Sequence, residues 1–119
     1  MTTERDVAEI KQTHLDEGFF AGTGGVRGDG PYIQLRLEVS GGIVTKVDAA
    51  CNGCPSAIQV TNRLATILKG RHLASIRALS RDDVIVIGGT VPAGKDYYYD
   101  LAYKAILDLK QETVNGETQ

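Results

Sequence analysis

An antiparallel β-hairpin covered on one face by helices, a small α+β arrangement, is what three features of this sequence predict. They are a clean alternation over residues 32–40, a Gly-Gly pair followed by a second alternating run, and a proline-led helical stretch with an apolar stripe. In the first run Ile33, Leu35, Leu37 and Val39 share one face, while Tyr32, Gln34, Arg36, Glu38 and Ser40 share the other. Gly41-Gly42 marks the turn, and Ile43, Thr45, Val47 and Ala49 continue as the second strand. A two-residue loop would oppose Leu37 to Lys46 and mix the two faces. A three-residue loop, Ser40 to Gly42, opposes Val39 to Ile43 and Leu35 to Val47, so the longer loop with a left-handed glycine and a bulge is expected.

Pro55 opens a helix that runs to Lys69, with Gly70 as its stop. Ala57, Ile58, Leu64, Ala65 and Leu68 form its stripe, which should cover the hairpin. His72 to Leu79 reads as a short helix with Leu73, Ile76 and Leu79 inward. Val84-Ile85-Val86-Ile87 reads locally as a strand, and a last helix runs from Asp96 or Tyr97 to Lys110 with Leu101, Ala105, Ile106 and Leu109 on one face. Ahead of the hairpin, Gly18, Gly22, Gly24, Gly25, Gly28 and Gly30 crowd one stretch. Such a stretch is no helix; it is a loop or irregular strand that approaches something closely. Residues 1–17, with Val7, Ile10 and Leu15 to one side, read as an N-terminal helix or arm, and 111–119 as a frayed polar tail. Without repeats or a composition break, residues 1–119 make one domain.

Composition excludes several classes of function. Lys and Arg number 13 against 15 Asp and Glu, so no basic excess exists to grip a phosphate backbone, and no nucleic-acid partner is expected. No apolar run approaches the ~20 residues of a membrane helix. The N-terminal Met1-Thr2-Thr3-Glu4-Arg5-Asp6 lacks the basic and apolar parts of a secretory signal, and two cysteines make no disulfide framework. A cytoplasmic location is the expectation.

Those two cysteines are the chemistry. Cys51-Asn52-Gly53-Cys54 ends the second strand and runs into Pro55, so Cys54 falls at the N-cap of the long helix. Unpaired N–H groups and the positive end of the helix dipole favour a thiolate there. Metal binding, persulfide transfer and disulfide exchange all need that thiolate; the plain alternative is a pair of small core residues. Thioredoxin-type exchange would require a parallel βαβ context, and His14 and His72 stand at no zinc-ligand spacing from the pair.

Three other patterns carry little. Gly89 to Asp96 falls one residue short of the phosphate-cradling G-x-x-x-x-G-K-[ST], but Asp96 replaces the magnesium-holding hydroxyl, and a carboxylate there repels phosphate. Gly22 to Arg27 lacks the last glycine of the dinucleotide fingerprint and precedes a strand rather than following one. Tyr97-Tyr98-Tyr99, at a helix start in an acidic chain, reads as packing rather than base stacking.

A set of landmarks in order resembles one family. It comprises Gly28-Asp29 before the alternating strand, Cys54 followed by Ser56-Ala57-Ile58, Leu68-Lys69-Gly70, Gly88-Gly89 with Val91-Pro92 and Gly94-Lys95, then Leu101-Ala102 and Ala105-Ile106. Over roughly residues 18–110 the chain is similar to the NifU N-terminal, or IscU-type, iron–sulfur cluster assembly scaffolds. The resemblance implies an α+β fold with a small antiparallel sheet of about three strands packed on one side by helices, and helical or irregular backbone at 84–87 in place of the strand. It implies a scaffold or carrier rather than an enzyme, with no catalytic residue. Such a scaffold assembles a 2Fe–2S cluster on three cysteines aided by an aspartate and basic residues. A cysteine desulfurase delivers sulfur as persulfide, and client apo-proteins receive the cluster.

Carried over by position, Cys54, Asp29 and Lys95 match the family pattern. Arg27 and Tyr98 stand where the first and third cysteines are usual, Tyr97 where a histidine is frequent, and Cys51 is additional. The resemblance thus implies Cys54, Cys51 and Asp29 as contacts to iron or cluster, with zinc as a substitute ion, and Lys95, Arg27 and Tyr98 in support. With clusters commonly held by four thiolates, two protomers apposing their cysteine pairs would make one shared site, hence a homo-oligomer. Arg27 would disfavour an iron cation and favour a thiolate or persulfide anion. The alternative is a non-catalytic interaction module that docks on a desulfurase or a client.

Overall fold

A computed structural model describes residues 17–112, so the expected N-terminal arm (except Glu17) and tail residues 113–119 lie outside the described residues. Four antiparallel strands, β1 Gly18–Gly25, β2 Tyr32–Ser40, β3 Ile43–Cys51 and β4 Lys110–Gln111, form one sheet in the order β3-β2-β1-β4. Of the helices α1 Pro55–Leu68, α2 Leu73–Arg77, α3 Arg81–Gly88 and α4 Tyr97–Leu107, α1 and α4 pack against the sheet, and α3 packs on those two helices. The alternation of β2 holds: Ile33, Leu35, Leu37 and Val39 are buried beneath Ala57, Val60, Leu64 and Leu68 of α1 and Ala102, Ala105 and Ile106 of α4.

The sheet has one strand more than the three expected, because Lys110 and Gln111 pair with Ala21 and Phe20. The last helix therefore stops at Leu107, and Gln111 belongs to the sheet.

The glycine-dense stretch is the strand β1 as far as Gly25 and a loop from there to Gly30, and the close approach it foretold is that of β1 to α4. A Cβ on Gly22 would stand 2.1 Å from the Ala105 carbonyl oxygen, and one on Gly24 would stand 1.9 Å from that of Leu101. Only glycine lets a helix backbone lie directly on a strand in this way.

The hairpin loop is the two-residue Gly41-Gly42, with both φ positive (62° and 82°), and not the expected three-residue one. The faces stay matched because the register shifts between Glu38 and Val39: Val39 opposes Val44, then Leu37 opposes Val47 and Leu35 opposes Ala49. A bulge in β3 takes up the extra residue that a longer loop was expected to supply. Val44 is accordingly the buried residue near the turn, and Ile43 is exposed.

Residues 84–87 lie in α3, as the resemblance implied and against the local strand reading. Ser80 Oγ accepts from Asp83 N at 3.1 Å and Asp83 Oδ2 accepts from Ser80 N at 2.9 Å, a capping box that starts the helix. Gly88 thus ends a helix and Gly89 caps it, so a helix stands where a phosphate loop needs a strand. In α1 the buried stripe is Ala57, Val60, Thr61, Leu64 and Leu68; Ile58, placed in the stripe from sequence, is 42% exposed.

The connection after α3 is pinned on both sides. Gln59 Nε2 donates to the carbonyls of Gly88 (3.0 Å) and Thr90 (2.8 Å), and the buried Tyr99 hydroxyl donates to that of Gly89. This fixes where α4 begins, and with it Lys95 and Tyr98.

Candidate functional site

The register gathers the predicted residues at one end of the sheet. Gly25 pairs with Tyr32, closing the β1–β2 hairpin over the loop that carries Arg27 and Asp29. Ile33 pairs with Cys51, so the cysteine loop leaves β3 beside that same loop. Leu101, under Gly24 and Gly25, brings the first turn of α4 to the same end.

Cys54 is the N-cap of α1, with extended backbone (φ −68°, ψ 138°) and Pro55 inside the first turn, as the sequence predicts. Gly53 before it has φ +88°, a conformation that L side chains rarely adopt and glycine takes freely. Both cysteines are half-buried free thiols packed at the edge of the core. Cys54 is therefore neither sealed among hydrocarbon side chains nor stranded in water.

The Cys54 thiol is held below its ordinary value. The Tyr98 hydroxyl contributes most, followed by the Ser56 N–H; partial desolvation opposes them, and the Ala57 N–H and the charge of Lys95 add to the lowering. Neither helix N–H closes a full capping bond to the sulfur, but both point their positive ends toward it. Conversely, burial pushes the Tyr98 phenol above its usual range, so it stays protonated and can donate to a thiolate.

Tyr98 is 1% exposed, its ring lies 4.5 Å centroid to centroid from that of Tyr97 at a tilt of 37°, and its oxygen accepts from Asn52 Nδ2 at 3.0 Å. The position that resembles a lost cysteine is occupied by a phenol that favours the thiolate of the remaining one. Asn52 went unread in the sequence; an amide between two cysteines gives no signal of its own until the fold sets it against α4.

Arg27 and Asp29 are exposed on the neighbouring loop. Arg27 places its guanidinium 6.0 Å from the centroid of the Tyr32 ring, and Asp29 N donates to Val26 O at 3.0 Å. The cation that acts on Cys54 is Lys95. Among the described residues, no three His, Cys, Asp or Glu side chains come together to hold a metal ion. With two cysteines per chain, one protomer's thiolates fall short of the four that commonly hold a cluster.

A four-stranded antiparallel sheet packed against helices is an α+β fold of the kind the resemblance to NifU N-terminal scaffolds implies. A family model for the NifU-like N terminal domain matches residues 9–111, and the chain belongs to that family. Its family role is scaffolding in iron–sulfur cluster assembly, a carrier's role rather than a catalyst's. No curated protein matches the chain. Among the described residues no helix is long and apolar enough to cross a membrane.

Proposed function

We propose that this chain takes part in iron–sulfur assembly as a sulfur acceptor, with Cys54 receiving the sulfane sulfur of a desulfurase persulfide. What supports the reading is the placement of its sulfur, a half-buried thiol at the N-cap of α1, where Tyr98, the Ser56 and Ala57 N–H groups and Lys95 favour the anion against partial desolvation. The Cys54 thiolate attacks the outer sulfur of the donor R–S–SH. A new S–S bond forms on Cys54, the donor's S–S bond breaks, and R–S⁻ leaves, so no outside oxidant or reductant is consumed. Cys51 is the second thiolate of the site, and Asp29, Lys95 and Arg27 set the charge around it.

Where iron or a cluster is held as cargo, the thiolates come from the Cys51/Cys54 pairs of two protomers, with Asp29 nearby; zinc would occupy the same thiolates. The partners are a cysteine desulfurase, client apo-proteins and a second copy of the chain, and the cytoplasm is the compartment that keeps both thiols reduced. Anaerobic reconstitution with iron and sulfide tests the cargo, with size-exclusion chromatography to follow assembly. A Cys54→Ser protein that binds iron as well as wild type rules it out.

A second reading is a docking module whose metal site has decayed. It is favoured by the lack of any three-ligand group among the described residues. A protein that stays colourless and metal-free after reconstitution, with thiols of ordinary reactivity near neutral pH, would establish it instead.

A further inference from the structure

The strand order leaves β3 at one edge of the sheet. The start of that edge is covered: Val44 N donates to Arg71 O at 2.9 Å, Gly70 N to Val44 O at 2.8 Å and Leu73 N to Gly42 O at 2.8 Å. From Thr45 to Cys51 it is open, and among the described residues no backbone hydrogen bond from outside the sheet reaches this stretch. The register says which way its backbone groups point. Tyr32 N is aimed at the β3 side, where it donates to Asn52 Oδ1 at 3.4 Å, so even-numbered residues of β2 face β3 and odd-numbered ones face β1. Val47, Ala49 and Cys51 oppose Leu37, Leu35 and Ile33, so their N–H and C=O groups turn outward into the open edge. Edges are commonly blunted by proline, bulges or inward-pointing charge. Past the bulge, Lys46 to Cys51 keep one unbroken register and contain no proline. Lys46 and Asp48 are exposed on the sheet face away from the helices. Among the described residues neither is in an ion pair, and Arg36, opposite Asp48, is bound to Glu112 instead.

We infer that the open edge of β3 takes an extended segment of a partner polypeptide as a fifth, antiparallel strand, with a basic residue against Asp48, an apolar one against Val47 and an acidic one against Lys46. β2 makes the same match from the other side: Arg36 opposes Asp48, Leu37 opposes Val47 and Glu38 opposes Lys46. Bonds to the outward backbone groups of Val47 and Ala49 supply affinity, and the two charges select sequence and direction. A second copy of β3 carries suitable charges, but the register that sets Lys46 against Asp48 centres on Val47. The partner subunit's Ala50 and Cys51 would then fall on Val44 and Ile43, where Gly70 to Leu73 already lie. A short segment that ends or turns away at that point meets no such block. In antiparallel order its N-terminal side lies next to Cys51, so the edge brings a partner to the cysteine loop. This surface goes beyond sulfur acceptance by Cys54 and does not depend on it.

The test uses the full chain and a fluorescent, end-capped peptide with the β2 sequence from Ile33 to Ser40, followed by anisotropy. Saturable binding is expected, with amide hydrogen exchange slowed at Val47 and Ala49. Asp48→Lys in the protein should weaken this probe about tenfold, since one favourable cross-strand pair becomes a like-charge pair. A second probe, the same peptide with Arg36→Glu, should show the reverse order, binding Asp48→Lys more tightly than wild type. Ala49→Pro removes an outward N–H while sparing the ladder to β2, so it should abolish binding of the first probe in a chain that melts as a folded protein. No saturable binding overturns the inference, as does equal binding in Ala49→Pro or a preference that does not reverse between the two probes. A wild-type dimer in size-exclusion chromatography that Ala49→Pro turns into a monomer would assign the edge to a second copy and overturn it as well. No sulfur donor is present in these measurements, so a chain that accepts no sulfane sulfur would remove the proposed function and leave this result standing.

Discussion

Gly24→Ala is a small change with a large expected effect. A methyl group at that position would start 1.9 Å from the carbonyl oxygen of Leu101 and 2.7 Å from its carbonyl carbon. Contact distances begin near 3.4 Å, so α4 must retreat by about 1.5 Å or β1 must buckle away from β2. Both partners are backbone, so no rotamer change relieves the clash. A retreat of that size forfeits much of the dispersion energy along Ala102, Ala105 and Ile106, which are all at most 1% exposed. The expected cost is about 3 kcal/mol or more, the upper end of overpacking penalties. For a domain of this size that lowers the unfolding midpoint by roughly 10–25 °C. Since α4 also carries Tyr98, the alkylation rate of Cys54 at neutral pH should fall in any fraction that still folds. Thr23→Ala, one residue away and half-buried, is the control and should cost below about 1 kcal/mol. Calorimetry or circular-dichroism melting decides the matter. A Gly24→Ala midpoint equal to that of Thr23→Ala would refute the close helix–strand contact, and with it the reason for the glycines of β1.

Other outcomes follow from the same structure. Tyr98→Phe should raise the apparent pKa of Cys54, and Lys95→Ala should raise it less, since the phenol contributes most and the lysine charge least; a pH–alkylation profile ranks the two. Ser80→Ala removes the α3 capping box and should cost about 0.5–2 kcal/mol in urea unfolding. The Asp83 carboxyl is held below its usual range mainly by the Ser80 N–H and hydroxyl. Its contribution to stability is therefore complete above the ordinary aspartate value of about 3.9 and is lost as pH falls through the lower folded-state value. Ser80→Ala should flatten that acid limb, which a series of melts from neutral to acid pH would show. Leu64→Ala, at a fully buried site between α1 and the sheet, should cost about 2–5 kcal/mol by the same unfolding assay.

Much of this fold is legible in the residues. The alternation of β2 fixes its buried face, Pro55 and Gly70 bracket α1, and the glycine crowding of 18–30 announces a close approach before its partner is known. What stays hidden depends on tertiary pairing. The hairpin loop departs from expectation because a two-residue Gly-Gly turn mismatches the faces unless a bulge intervenes, and a bulge leaves no mark on local alternation. The strand reading of 84–87 came from a β-branched run; Ser80 and Asp83 held the contrary signal, and the capping box outweighed propensity. At the site, the helix-start placement of Cys54 was readable from Pro55 alone. The roles of Tyr98 and Asn52 were not, because they arise where α4 returns to the end of β3, 46 residues apart in sequence between the two partners.

The most direct test of the account is the intact mass of the anaerobic protein after incubation with a cysteine desulfurase and cysteine, with the modified residue located by peptide mapping. The account predicts a gain of one sulfur atom on Cys54, retained in Cys51→Ser and lost in Cys54→Ser. No adduct under conditions that load the desulfurase itself, or an adduct confined to Cys51, would contradict it.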